Sequence, residues 1–207
     1  TLDATLPCLP ARTYGGALRC AARLHDWGKA DERFQAMLVN APWAPAQLWA
    51  KSGTMSRTVA QRRHARRLSG LPKGFRHEML SVQLAEQAPD ALPGDSTLRD
   101  LALHLIAAHH GRARPFAPVV LDHDPPAVDL ETLGVSAQLT AEARKENPPH
   151  RLDSGIAERF WTLTRRFGWW GLAYLEAVLR LTDQLASQRE SEGAWQEAEE
   201  ATAEVTT

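Results

Sequence analysis

The stretch Leu24-His25-Asp26-Trp27-Gly28-Lys29 places a histidine beside an aspartate at the end of a predicted helix. Small and apolar residues precede it at helical spacing: Ala17, Leu18, Ala21 and Leu24. His25 continues this buried face, and Gly28 is expected to cap the end of the helix. Because a buried carboxylate needs a cation to offset its desolvation, Asp26 next to His25 indicates a metal site.

Two later stretches offer ligands of the same kind. His109-His110-Gly111 closes a second predicted buried helix, and Asp183 lies in an otherwise apolar helical run. A lone buried histidine is more often a hydrogen-bonded core residue, but the combination on predicted helices favours a metal centre. Imidazole and carboxylate groups bind Mn, Fe, Co, Ni or Zn, and two such ions can clamp an in-line phosphoryl displacement. The ligand types predict a metal-dependent phosphodiester hydrolase.

Composition indicates one globular domain spanning residues 1–207. The chain is 43% hydrophobic with a formal net charge of −1, and its motifs fall within residues 15–188, before an acidic C-terminal helix predicted at 190–204. Two cysteines are too few for a disulfide framework, so a reducing cytoplasm is the expected location. There is no signal peptide and no apolar run approaching the roughly 20 residues of a membrane span. The chain begins with Thr1, which suggests a segment of a longer protein.

Charge is distributed unevenly along the chain. No acidic residue occurs between Glu32 and Glu78, an interval that is rich in arginine and lysine. Basic segments of this density are typical of nucleic-acid partners, and the position of this one beside His77 favours that reading over a solvated helix face. The residues predicted to contact nucleic acid are Arg57, Arg62, Arg63, Arg66, Arg67, Lys73 and Arg76.

Helical patterns dominate the rest of the chain. We predict helices at residues 31–38, from His77 onward and at 98–110, 152–167 and 170–188, with short helices and loops at 43–75. Repeated prolines between 114 and 149 predict a long irregular excursion, and no alternating strand pattern stands out. The predicted fold class is all-α, a helical bundle with a metal centre in its core.

Four stretches together identify a resemblance: residues 24–29 followed by Arg33-Phe34-Gln35, residues 76–81 (Arg-His-Glu-Met-Leu-Ser), residues 106–111 and residues 179–187. They resemble the HD-superfamily nuclease domain of the type I CRISPR-associated nuclease-helicase. His-Asp alone defines only the broad superfamily, whereas Gly-Lys with a nearby Phe-Gln, the His-Glu-x-x-Ser stretch and the His-His-Gly stretch are more specific. The resemblance implies an HD-superfamily helical bundle.

The resemblance also implies two divalent ions bridged by Asp26. One ion would take His25, Asp26 and Asp183, and the other would take Asp26, His77, His109 and His110. Lys29 would contact the scissile phosphate, and an activated water would attack phosphorus in line with the leaving oxygen. Mn, Co, Ni or Fe are the leading candidate ions, with Zn and Mg as further candidates.

The implied substrate is single-stranded DNA, cut as an endonuclease would cut it in antiviral CRISPR interference. The strand would follow the basic segment and stack on Trp27, Trp169 and Trp170. The chain carries no Gly-x-x-x-x-Gly-Lys-Ser/Thr phosphate loop, so a helicase domain or subunit is expected to deliver the DNA. The guide-RNA effector complex is an indirect partner.

One departure from the family pattern keeps alternatives open. The family usually has a further metal-binding histidine upstream, but no histidine precedes His25. Either that residue lies in a part of the parent protein before Thr1, or this branch lacks it. If this branch lacks it, weak occupancy of the ion at His25 and Asp183 and reduced activity are expected. An HD phosphohydrolase of dNTPs or cyclic nucleotides, or a degenerate non-catalytic DNA-binding module, are the alternatives. The residues matching no motif are His64, His104, His123 and His150, and Asp122-His123-Asp124 receives no catalytic role.

Overall fold

Helices make up most of the chain, as the sequence predicts. The computed structural model describes the backbone of residues 11–49, 58–132 and 134–205, and the side chains of 14–49, 58–132 and 134–189. The described helices are α1 (Ala11–Leu24), α2 (Glu32–Val39), α3 (Val59–Leu68), α4 (His77–Gln87), α5 (Ser96–Ala108), α6 (Ala141–Glu146) and α7 (Ile156–Val205). Short 3-10 turns cover Trp27–Ala30 and Pro89–Ala91. None of the described helices combines the length and apolar character needed to cross a membrane.

Helix α5 forms the centre of the core. It packs against α1, α4 and α7, and eight consecutive residues from Leu101 to Ala108 are buried. Burial on every side explains why this segment is a nearly continuous apolar run rather than an amphipathic one. The histidine pair that follows α5 is therefore held at the end of the most deeply packed helix.

Four helices begin at side-chain caps that the sequence supplies. Asp31, Thr58, Asp95 and Thr140 each accept a hydrogen bond from a backbone N–H in the first turn of α2, α3, α5 and α6, respectively. Such caps satisfy donors that have no partner within the helix and contribute about 1 kcal/mol each. They set the starts of the elements that surround the site.

A two-stranded antiparallel sheet lies within the segment predicted to be irregular. Strands β1 (Val128–Thr132) and β2 (Val135–Leu139) pair with Val128 opposite Leu139, and β2 packs against α4. Alternate residues of the hairpin are buried, as expected for strands with one face on a core. The prediction of no strand was wrong here, although one small hairpin leaves the fold class all-α.

Helix α7 is broken at Gly168, so the two predicted helices are its two halves. Gly168 has φ 68° and ψ 167°, a combination essentially restricted to glycine. The first half begins at Ile156 rather than at residue 152, because turns occupy the preceding residues. The second half packs through Leu172, Leu175 and Leu179, and it carries Asp183 to the histidines.

Candidate metal centre

The His-Asp pair lies where α1 passes into the 3-10 turn, and Gly28 sets how closely that turn approaches α4. A Cβ atom at Gly28 would lie 2.0 Å from the carbonyl oxygen of His77 and 2.8 Å from the backbone nitrogen of Ser81. The prediction that Gly28 caps α1 was wrong, because Gly28 lies inside the 3-10 turn and does not have the positive φ of a glycine cap. Gly28 is needed because two backbone segments meet at this point.

The hydroxyl of Ser81 fastens the same junction. It accepts a hydrogen bond from Gly28 N at 2.8 Å, and its oxygen lies 2.6 Å from the carbonyl oxygen of His25 and 3.0 Å from that of His77. Ser81 is fully buried, so these bonds are shielded from water. One side chain thus links the backbones of two predicted metal ligands.

The histidines form two overlapping groups. One ligand atom from each of His77, His109 and His110 lies within 4.8 Å of the others, and the same holds for His25, Asp26 and His109. The partition implied by the resemblance gives His109 to one ion only, whereas the structure brings it within reach of both groups. Five of the six predicted metal ligands are therefore gathered at one place.

The carboxylates complete the arrangement. Asp26 turns Oδ1 towards His77 Nε2, 3.2 Å away, and Oδ2 towards His25 Nε2, 3.5 Å away. Asp183, the sixth predicted ligand, approaches from α7 with Oδ1 3.3 Å from His25 Nε2. Asp26 thus lies between His77 and His25, and Lys29 shares its Oδ2.

The hydrogen bonding of the histidine rings leaves their Nε2 atoms suited to bind a metal. His25, His77 and His109 each bury an Nε2 atom that makes no hydrogen bond to the described residues. The Nδ1 atoms of His25 and His109 lie 2.9 and 2.7 Å from the carbonyl oxygens of Ala22 and Ile106. Since a carbonyl only accepts, Nδ1 carries the hydrogen and Nε2 keeps its lone pair for a cation.

Electrostatics favours an ionised Asp26 and neutral rings at His109 and His110. Burial alone would raise the pKa of Asp26, but the close approach of His77 and the charges of His25 and Lys29 bring it well below its usual range. Burial lowers the pKa of His109 to about 3, and burial followed by the neighbouring His77 lowers the pKa of His110. An ionised carboxylate and neutral imidazoles are the forms that bind metal.

Lys29 and Gln35 are the polar residues of the Gly-Lys and Phe-Gln pairs that the resemblance singled out, and the structure shows what each contacts. Lys29 Nζ lies 2.7 Å from Asp26 Oδ2, at the edge of the centre. The buried Gln35 amide donates to the carbonyl of Lys29 at 2.7 Å and accepts from the backbone nitrogen of Trp49 at 2.7 Å. Gln35 therefore anchors the turn that carries Lys29.

A buried ion network supports the turn from the other side. Asp31 accepts hydrogen bonds from Arg33 at 3.1 Å and from Arg144 at 2.8 Å, while Arg33 also makes a bidentate contact to Asp122. Burial would raise the pKa of Asp31, but the two arginines lower it. Asp122 of the Asp-His-Asp stretch thus pairs with an arginine.

The predicted nucleic-acid residues occupy different environments. Arg62, Arg63 and Arg67 are exposed on α3, and Lys73 is exposed in the following loop. Arg66 and Arg76 are half-buried, and Arg66 donates to the carbonyl of Pro72 at 3.1 Å. Arg57 lies outside the described residues, as do the side chains of the acidic stretch at 190–204. Three arginines and one lysine that precede His77 in the sequence are therefore exposed to solvent.

Of the predicted stacking residues, Trp27 is buried at 6% exposure, so it belongs to the core and cannot stack on a base. Trp169 and Trp170 are 62% and 89% exposed beside the break in α7. His104 is buried and lies 2.6 Å from Glu176, which also pairs with Arg114. His104 is thus a core histidine with a carboxylate partner, and it belongs to neither group of candidate ligands.

Sequence reasoning missed two residues beside the centre, Glu78 and Ser81. Glu78 is 1% exposed, and its Oε2 lies 3.8 Å from His77 Nδ1. It stands inside the quoted stretch at residues 76–81, but nothing in the pattern of apolar residues showed that its carboxylate is buried. Ser81 stood in the same stretch without an assigned role.

Comparison with known protein families gives a match over most of the chain. A family model described as the HD domain of Cas3 matches residues 9–191, which is most of the chain and contains all the residues of the centre. No curated protein and no solved structure matches.

Proposed function

The chain belongs to the Cas3 HD-domain family, a group of HD-type metal-dependent hydrolases and nucleases of CRISPR systems, and from this premise we propose a specific activity. We propose that it hydrolyses phosphodiester bonds of single-stranded DNA during type I CRISPR interference, with two divalent metal ions. The proposed ligands are His25, Asp26, His77, His109, His110 and Asp183.

The observation that carries the proposal is the set of three buried Nε2 atoms without hydrogen-bond partners among the described residues, gathered around Asp26. Burying unsatisfied polar atoms costs free energy, so three at one place call for a common partner. A divalent cation fits, because its ligands are neutral imidazoles and carboxylates. The two oxygens of Asp26 face different histidines, which supports two ions rather than one.

Bound divalent ions would supply Lewis acidity, polarising a phosphate oxygen and acidifying a water for in-line attack. The chain itself holds the ligands in place through Ser81, Gly28 and the carbonyls behind His25 and His109. Lys29, at the edge of the centre, is placed to contact a phosphate or the charge that develops on it. Asp26 and Lys29 are the residues to which we assign catalytic roles.

A DNA strand is favoured over a small nucleotide by the exposed cations on α3. Arg62, Arg63 and Arg67 make no ion pair with the described residues, so they are available to phosphates. Along the sequence this series of cations continues with Lys73 and Arg76, and Arg76 immediately precedes the proposed ligand His77. A mononucleotide would have little use for so extended a series of cations.

We further propose that residues 1–207 form a single nuclease domain that acts in the cytoplasm beside a helicase domain or subunit. Membership of the Cas3 HD-domain family supports both partners. The helicase would deliver unwound DNA, and the guide-RNA effector complex would be an indirect partner. Exposed Trp169 and Trp170 are candidates for stacking on bases of the delivered strand.

The first test is cleavage of circular single-stranded DNA by the metal-stripped protein. Mn, Co, Ni, Fe, Zn and Mg ions are added singly, and Asp26→Asn serves as the inactive variant. Asp90→Asn, an exposed aspartate far from any predicted ligand in sequence, is the matched control. We expect linear product with a transition metal from the wild type and from Asp90→Asn, and none from Asp26→Asn.

Other results would favour the alternatives. Turnover of dNTPs or cyclic nucleotides without cut circles would indicate a nucleotide phosphohydrolase. DNA binding that survives chelation, without cleavage by any metal, would indicate a non-catalytic binding module.

A further inference from the structure

The histidines of the metal centre are oriented from behind by hydrogen-bond acceptors. Two of the three rings with a buried Nε2 use the same arrangement, in which Nδ1 donates to the carbonyl oxygen of the residue three positions earlier. Each such bond fixes the ring tautomer and leaves Nε2 free to bind a cation. These rings are His25 and His109, at the ends of α1 and α5.

His77 stands in a different local setting. It is the first residue of α4, so no preceding helical turn offers it a carbonyl. Nδ1 of His77 makes no hydrogen bond to the described residues, and the group that faces it is the carboxylate of Glu78, with Oε2 3.8 Å away. The Nε2 atom on the other side of the ring is buried and points into the metal centre.

Glu78 is an unusual residue for this place if it serves structure alone. Its side chain is 1% exposed, and its Oε1 atom has no hydrogen-bond partner among the described residues. No described arginine or lysine pairs with it. A buried carboxylate without a full set of partners is costly, which makes a use at the metal centre the better account of it.

We propose that Glu78 is a positioning residue for the metal centre, the carboxylate that accepts the Nδ1 hydrogen of His77 when Nε2 of that ring binds a divalent cation. The inference rests on the metal centre of the proposed function. At 3.8 Å the contact is longer than a hydrogen bond, so the attraction across it is electrostatic. A cation on Nε2 makes Nδ1–H a stronger donor, and the negative charge of Glu78 then favours the loaded state.

The test is metal binding by Glu78→Gln, an isosteric change that removes the charge. Glu142→Gln, which alters an exposed glutamate at the start of α6, is the matched control. Partners behind a ligand typically contribute 10–100-fold to metal affinity. In calorimetry with Mn²⁺ we expect one of the two ions to bind about 10–100-fold more weakly to Glu78→Gln, with no change in Glu142→Gln.

A spectroscopic readout separates this role from a merely structural one. In ¹H–¹⁵N spectra of the Zn²⁺-loaded protein, we expect the His77 Nδ1–H signal to be displaced in Glu78→Gln, and the signals of His25 and His109 to stay in place. Wild-type affinity for both ions together with an unmoved His77 signal would overturn the proposal. If the variant does not fold, the wild type still decides, because a His77 Nδ1–H that exchanges freely with water would also overturn it.

The outcomes keep this inference apart from the proposed activity. A wild-type protein that binds Mn²⁺ but leaves DNA intact would refute the nuclease and not the role of Glu78. A wild-type protein that binds no divalent ion would refute both.

Discussion

Replacing Gly28 with alanine tests whether the junction between the 3-10 turn and α4 sets the geometry of the metal centre. The added Cβ would lie 2.0 Å from the His77 carbonyl oxygen, whereas real Cβ atoms essentially never come within 3.0 Å of another atom. One of the two backbones must therefore move by about 1 Å. That movement separates the segment of His25 and Asp26 from His77.

The expected loss of stability follows from two contributions. Overpacking of a filled site costs about 1–3 kcal/mol, and loss of the bond from Gly28 N to Ser81 adds about 1 kcal/mol. We expect the free energy of unfolding to fall by about 2–4 kcal/mol, which lowers Tm by roughly 4–16 °C for a chain of this size. Urea unfolding of the metal-free protein measures the change.

Metal binding gives a second readout of the same variant. Metal–ligand distances tolerate deviations of only about 0.2 Å, so a shift of the size required removes at least one ligand. We expect Mn²⁺ affinity to fall by tenfold or more. Calorimetry on protein that is still folded measures this.

Gly16→Ala is the matched control, because a Cβ at that exposed position in α1 meets nothing within 4 Å. It should raise stability by about 0.5–1 kcal/mol, as alanine does in a helix interior. A Gly28→Ala protein with wild-type stability and wild-type Mn²⁺ affinity would refute the reasoning, since the junction would then not be tight.

Three further changes test other parts of the molecule. Replacing Arg62, Arg63 and Arg67 with alanine should reduce the salt slope of single-stranded DNA binding by up to about 2, at roughly 0.7 per lost phosphate contact, in fluorescence anisotropy; an unchanged slope would make α3 a solvated surface. Asp31→Asn should cost about 3–5 kcal/mol at pH 7 in urea unfolding, because it breaks a buried ion network. The arginines hold the pKa of Asp31 below its unfolded value of 3.8, so the stability that this carboxylate contributes is present above pH 3.8 and is lost as pH falls through the folded pKa. The difference in unfolding free energy between wild type and Asp31→Asn should therefore narrow at pH 3. A difference that stays constant with pH would contradict the pairing. His109→Ala should weaken both Mn²⁺ ions in calorimetry, whereas His110→Ala should weaken one; a His109→Ala protein with one ion at wild-type affinity would mean that His109 serves a single group.

Periodicity predicted the helices well where one face or the whole helix is buried. The run before His25, the stretch beginning at His77 and the buried helix that ends at the histidine pair all appear close to the expected positions. The hairpin was missed although Val128-Asp-Leu-Glu-Thr132 alternates in the sequence. Each strand has only five residues, and the prolines before and after them dominated the interpretation.

The candidate ligands could be predicted from the sequence because the residue type alone identifies imidazole and carboxylate groups, which bind metals. Their partners were not readable, since hydrogen bonds across the fold leave no local pattern. Ser81 reaches the carbonyl of His25, 56 positions earlier, and His104 meets Glu176, 72 positions later. Gly28 was misread for a related reason. A glycine required by a close contact between distant backbone segments looks the same in the sequence as a glycine that caps a helix.

The break at Gly168 makes the following part of α7 an arm along which Asp183 is positioned. Fifteen residues separate the two, which at 1.5 Å per residue is an arm of about 22 Å. A tilt of 5° at Gly168 would displace the end of such an arm by about 2 Å. The angle is held by the packing of Leu172, Leu175 and Leu179. Any partner that presses on the exposed Trp169 or Trp170 therefore acts near the pivot of the arm that positions a carboxylate at the metal centre.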